Sequence, residues 1–180
     1  MLSSALLWTL ASALAAVAHN IGTGLPQNLI LTALVGKNNL SALECWAMIP
    51  DLVESTATGT VGALSFAHLG ATGNSSYSLF TQLTNAGLHN APAPQYVMIM
   101  TGRGELSFPS AKASDPTLSG NYTLLAGDIL IAVDTANVSK RGHNSVWQAG
   151  TTALQMPFAG AVPSHIVLYN GGCRRPHLGL

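Results

Sequence analysis

The sequence predicts an all-β fold, a barrel or sandwich of short strands, and three observations predict it. About ten apolar or alternating runs recur at intervals of roughly 8–12 residues, each bounded by Gly, Pro or Asn. No internal repeat, heptad pattern or domain linker breaks that rhythm, and 180 residues leave room for one domain. The two cysteines, Cys45 and Cys173, stand near the two ends of the strand-rich region, which suits a fold whose chain ends meet in one sheet.

The elements follow in chain order. Residues 1–18 are apolar, rich in Ala and Leu, and end in Ala16-Val17-Ala18, the small-residue pattern of a signal peptide cleaved before His19. The segment carries no Lys or Arg, and a membrane anchor is the rival reading, though the run is short for a span. Residues 19–42 form an arm, within which 29–35 is apolar, either helix or strand, and is read as a short helix. The core domain then runs over 43–173. Residues 43–48 make its first strand and stop at Pro50. A second strand is expected over 60–69, and 77–83 should return antiparallel to it. His89 falls in a proline-rich turn with Pro92 and Pro94. Gln95 opens the unbroken apolar run Tyr96 to Met100, a tight turn follows at Gly102, and residues 105–108 return as its hairpin partner. After a polar loop over 109–120 come strands at 122–125, 129–133, 143–148, 151–158 and 165–169, with a loop at 135–141 and a basic and polar tail over 174–180.

Composition narrows the function. Hydrophobic residues make up 48% and charged ones 8%, well below the roughly one quarter usual for a soluble domain. Seven basic residues balance seven acidic ones, which leaves no electrostatic footprint for nucleic acid or an anionic membrane. Solubility then rests on Ser, Thr, Asn and Gln, or on sugar. Four sequons begin at Asn39, Asn74, Asn121 and Asn137, each in or beside an expected loop. In an oxidising compartment the two cysteines point to one disulfide, with two free thiols as the alternative. The chain is expected to be secreted, with no membrane partner once the leader is removed.

Several motifs occur together in order: His89, Ala91, Pro92, Gln95, Tyr96 and Val97; Gly102 and Glu105; Gly127-Asp128; Asp134-Thr135; and Gly142-His143. In this order the chain resembles the cupin superfamily, closest to small secreted fungal-type members with an H-x-A-P-x-x-Q-Y-V, G-D, D-T, G-H signature. His89 falls on the first histidine of the first cupin motif and Gln95 on its glutamate, while Ala91 replaces the second histidine. The resemblance spans roughly residues 43–173 and implies a single-domain jelly-roll β-barrel; an immunoglobulin-type sandwich is the rival architecture.

The resemblance also implies a cavity site. In cupins such residues hold a divalent transition metal (Fe, Mn, Ni, Zn or Cu), and the ligands surviving here are His89, Gln95 and His143. Glu44, Glu105 or Asp134 would have to supply a further donor, with Asp134 and Glu105 otherwise supporting the ligands from behind. The first functional expectation is a metal-dependent oxygenase, isomerase or lyase acting on a small apolar molecule. The second is a metal-free binding protein or cofactor-independent isomerase in which His89 and His143 are acid and base, since imidazole titrates near neutrality. The third is a non-catalytic secreted effector or surface protein, in which the two histidines only bridge the barrel mouth. Trp46, Phe66, Tyr96, Met98, Met100, Trp147 and Met156 are expected to line the cavity or fill the core, and the Met98/Met100 face to meet an apolar ligand. His68 and His165 are expected to be structural or superficial. An amino-terminal His19 could chelate copper, without the partners such chemistry needs. The chain is expected to act as a monomer or homodimer.

Overall fold

A computed structural model describes residues 28–108 and 121–173. The expected leader, His19, the loop at 109–120 and the tail at 174–180 lie outside the described residues. What is described is all-β, with thirteen strands and no helix.

In chain order these are β1 (Ile30–Lys37), β2 (Leu40–Met48), β3 (Val53–Glu54), β4 (Leu64–Ser65), β5 (Ser76–Phe80), β6 (Thr84–His89) and β7 (Gln95–Thr101). They continue with β8 (Arg103–Ser107), β9 (Asn121–Leu125), β10 (Ile129–Ala132), β11 (His143–Trp147), β12 (Thr151–Pro157) and β13 (His165–Asn170). Seven form one sheet in the order β13-β2-β1-β10-β7-β12-β5, four form a second in the order β6-β11-β8-β9, and β3-β4 is a small ribbon. Every pairing is antiparallel except β1 with β10.

The two larger sheets enclose one core. Leu34, Val97, Ile99 and Leu130 from the large sheet pack on Leu106, Leu124 and Trp147 from the small one. The other face of the large sheet carries a second cluster, Leu31, Ala33, Trp46, Met48, Tyr96 and Ile131, against which Phe66, Phe158 and Val162 pack. Because the large sheet is covered on both faces there, its strands read as continuous apolar runs rather than alternating ones.

That double coverage explains the first departure from expectation. Residues 29–35 are not a helix but most of β1, which lies between β2 and β10 and is buried along both faces. Periodicity cannot separate a helix from a strand in so short an apolar run. The sheet therefore begins at Ile30, inside the segment expected to be an arm.

Residues 60–69 form turns rather than a strand, apart from β4. Gly59 and Gly62 adopt φ of +89° and +82°, and Val61 is 72% exposed, so the segment lacks a continuous apolar face, although Phe66 packs against the second cluster. β5 accordingly pairs with β12 and not with this segment. β6, which ends at His89, replaces part of the expected turn. The expected central hairpin is absent as well: β7 pairs with β10 and β12, whereas β8 pairs with β11 and β9. Gly102 is a crossover between sheets. At φ +76°, a Cβ there would stand 2.4 Å from Oγ1 of Thr151. That hydroxyl accepts from the Arg103 amide and donates to the Arg103 carbonyl, both at 3.0 Å, and so turns the chain away into the second sheet.

Cys45 on β2 and Cys173 just beyond β13 form a disulfide across a sequence separation of 128. Among the described residues no helix is long and apolar enough to cross a membrane.

Candidate functional site

The core between the sheets leaves a cavity of about 370 Å³, walled by Leu34, Val97, Leu106, Leu124 and Leu130 and by the aromatic rings of Phe80 and Trp147. Its polar lining falls in two groups, His89, Gln95 and His143 where β6, β7 and β11 meet, with Ser145 next on β11, and Ser76, Ser78 and Gln155 where β5 meets β12. Ser76 and Ala86, both exposed members of the lining on the edge strands β5 and β6, mark where it reaches solvent.

Strand pairing brings the two histidines together. β6 and β11 run antiparallel with His89 directly opposite His143, and the ring centroids stand 4.5 Å apart at an interplanar angle of 57°. Gly142 permits the approach: it adopts φ +67°, and a Cβ there would lie 2.1 Å from the His89 carbonyl oxygen. The Gly-His pair singled out in the sequence thus has a steric basis.

Each ring is held by its Nδ1. The Gly87 carbonyl can only accept, so Nδ1 of His89 donates to it at 2.8 Å. Nδ1 of His143 meets Oδ2 of Asp134 at 2.8 Å, and a carboxylate likewise accepts. When the rings are neutral, both Nε2 atoms therefore present lone pairs. Gln95, 7% exposed, adds an amide to the same end of the cavity.

Asp134 is fully buried and is the hub of this end. Its Oδ2 also accepts from Ser41 Oγ at 2.6 Å, and its Oδ1 from the Ala91 amide at 3.3 Å. Ser41 is joined to Ser139 at 2.8 Å, and Ser139 accepts from the Gly142 amide at 3.1 Å. Asn90 bonds the carbonyls of Asp134 and Ser139 at 2.8 and 3.0 Å. The carboxylate thus fixes the His143 ring while its own oxygens are occupied.

Several expected residues lie elsewhere. Glu44 accepts from Trp46 Nε1 at 2.9 Å and sits on the far face of β2 with Ala42 and Trp46, away from the cavity. Glu105 pairs with Arg103 on the outward side of β8, since its neighbour Leu106 faces in. Neither can serve the histidines. Of the expected lining only Trp147 lines the cavity. Trp46, Phe66, Tyr96 and Met156 belong to the cluster on the opposite face of the large sheet, Met98 alternates with Val97 and so faces away from the cavity with Tyr96, and Met100, the extra residue of a bulge opposite Thr152 and Ala153, is 50% exposed. The face of β7 that meets the cavity is Gln95 and Val97. His68 is exposed, and His165 stacks on Trp46 at 3.5 Å, both away from the site. Asn90 and Ser145 carry no motif, and Ser41 and Ser139 enter the sequence reading only as the third residues of the sequons at Asn39 and Asn137. For Ser145 a signal existed, because it is two residues from His143 and shares its face of a strand.

The donor set does not fit a tightly held divalent metal. It comprises two neutral imidazole nitrogens and one neutral amide, with the Asp134 carboxylate turned to the back of His143. Among the described residues no three His, Cys, Asp or Glu side chains are placed to hold a metal ion together. Metal sites of this class commonly use three strong protein ligands, and an anionic one offsets the cation's charge.

The chain matches no known family model and no curated protein.

Proposed function

We propose that this is a secreted, N-glycosylated protein of cupin type, a single jelly-roll domain. In this reading its cavity takes a small, mostly apolar molecule and moves a proton on it with His143 and His89. The observation that carries this reading is the imidazole pair, 4.5 Å apart in a mostly apolar cavity with each Nδ1 engaged. Fixed orientation within hydrogen-bond reach of a bound molecule is what acid–base catalysis asks of such groups. Nε2 of His143 takes a proton from an acidic C–H beside a carbonyl, with Asp134 stabilising the imidazolium that results. His89, entering the step protonated, gives its Nε2 proton to another atom of the same molecule. No electrons are transferred, and the product is an isomer; proton exchange between the rings resets the pair.

Two facing sheets with a cavity between them support the cupin reading, as do the structural turns at Gly102, Gly127 and Gly142. The disulfide supports an oxidising compartment. All four sequon asparagines, Asn39, Asn74, Asn121 and Asn137, are exposed, as glycan attachment requires.

The test uses protein from a secreting host without a histidine tag, incubated in D2O with cyclohexanone, 2-cyclohexenone and acetophenone. Deuterium entry beside the carbonyl is followed by proton NMR. Protein-dependent exchange should appear and fall on the order of 10²-fold or more in His143→Asn. Equal exchange in that variant, none with any of the three ketones, or activity lost to a chelator and restored by a divalent metal would each defeat the reading.

A further inference from the structure

Beyond the histidines, β11 places one more polar side chain in the cavity wall. Ser145 lies two residues after His143 on the same strand face, about 7 Å along the chain. It is 2% exposed, and among the described residues its Oγ is the one buried side-chain N or O atom without a hydrogen-bond partner. Buried hydroxyls are nearly always paired, so an unpartnered one in a cavity wall is positioned to bond a ligand atom.

The backbone opposite Ser145 is irregular in a way that serves the same spot. Ser145 pairs with Gly87 but Val146 pairs with Asn85, which leaves Ala86 as an extra residue on β6. Gly87 takes φ +72°, and Ala86 lines the cavity. Bulges of this kind re-aim side chains beside binding sites. The bulge also presents the Gly87 carbonyl to His89 Nδ1, so one distortion both shapes the wall at Ser145 and sets the His89 tautomer. Next along β11, Trp147 stacks on Phe80 with centroids 4.9 Å apart and planes 9° from parallel, a flat apolar wall beside the polar pair of stations.

The polarities at the two stations differ. With both rings neutral, the Nε2 lone pairs make the histidine end favour a donor, and Gln95 beside them can accept as well as donate; the Ser145 hydroxyl lacks an acceptor for its proton. We infer that Ser145 contacts the ligand, and that this ligand is a small ring compound with a hydroxyl at the histidine end and a carbonyl at the Ser145 end. A single six-membered carbon ring with oxygens at opposite ends spans the interval, its face against Phe80 and Trp147. This rests on the cavity being a small-molecule site and concerns binding to the pair with both rings neutral, not the proton transfer, and it adds the class of molecule bound and the residue that selects it.

Isothermal titration of the full secreted chain with 4-hydroxybenzaldehyde, benzaldehyde and phenol tests it. The hydroxyaldehyde should bind the wild type most tightly. Ser145→Ala should weaken the hydroxyaldehyde and benzaldehyde about fivefold to tenfold and leave phenol unchanged, the loss expected for one hydrogen bond. The ligand-free melting temperature of Ser145→Ala should be unchanged or higher, because the hydroxyl it removes has no partner. A drop of several degrees would show a structural hydroxyl and overturn the inference, as would equal weakening of phenol or no weakening of the aldehydes. Binding of phenol without discrimination at Ser145 removes this inference alone, whereas failure of the wild type to bind any probe removes the cavity reading with it.

Discussion

On β7 one step along the chain separates two environments. Gln95 and Val97 face the cavity, and Tyr96 between them is packed in the opposite cluster, its hydroxyl donating to the Leu69 carbonyl at 3.0 Å. Burial pushes the Tyr96 phenol up to about 12 from its ordinary value, because desolvation penalises the phenolate. In the unfolded chain the phenol ionises near pH 10. Its stabilisation is therefore complete below that pH and is lost as pH rises from about 10 through about 12. Denaturant titrations at pH 9 and pH 11.5 should show a stability loss in the wild type that is smaller in Tyr96→Phe; an identical loss in both would exclude Tyr96 as its source. The outward turn of Tyr96 and Met98 was hidden in the sequence because both faces of this strand are mostly apolar. The one polar residue in the run, Gln95, was the available clue to which parity met the cavity.

Elements were legible where their runs were bounded by turn residues and lost where tertiary partners decided. The strands at 95–100, 129–133, 143–148 and 151–158 differ from β7, β10, β11 and β12 only at their ends. The apolar run of β1 reads equally as a helix because its strand character comes from its partners, β2 and the distant β10, and β6 is hard to see because its bulge and Gly87 break the alternation. β13 has the opposite character: it is an edge strand whose residues 166–170 are exposed, yet it holds its place on β2. The disulfide beside it supplies what burial does not. Closing a loop of 128 residues is worth roughly 4–5 kcal/mol on the chain-entropy model. Cys45→Ser/Cys173→Ser should lose stability of that order in denaturant unfolding, and amide exchange should quicken at residues 165–170 before β7. Uniform quickening of both strands would mean the bond braces the whole sheet rather than its edge.

At the scale of the molecule, the same buried carboxylate that orients His143 also ties the sheets together at the site. Through Asp134, the start of β2 (Ser41), the link between β6 and β7 (Ala91) and the first residue of β11 (His143) meet at one point. Ser139 extends the tie to Gly142, where the backbone closes on His89. The Asp-Thr and Gly-His motifs, nine residues apart, were visible in the sequence, but the cluster around them was not, since it also draws Ser41 and Ala91 from more than forty residues away and uses two serines that the sequence offers only as sequon residues. Stability and the geometry of the imidazole pair should therefore fail together here. Asp134→Ala strands Ser41, the Ala91 amide and His143 Nδ1 without their acceptor, and the loss should be about 3 kcal/mol or more, as for other broken buried polar clusters. Ser41→Ala removes one bond to the carboxylate and leaves the His143 contact standing, so it should cost about 1 kcal/mol and preserve ketone exchange. Chemical denaturation of both variants, read beside the exchange assay, separates the roles. If Asp134→Ala kept full exchange activity at temperatures where it stays folded, the carboxylate would brace the sheets without orienting the histidine that the proton transfer needs.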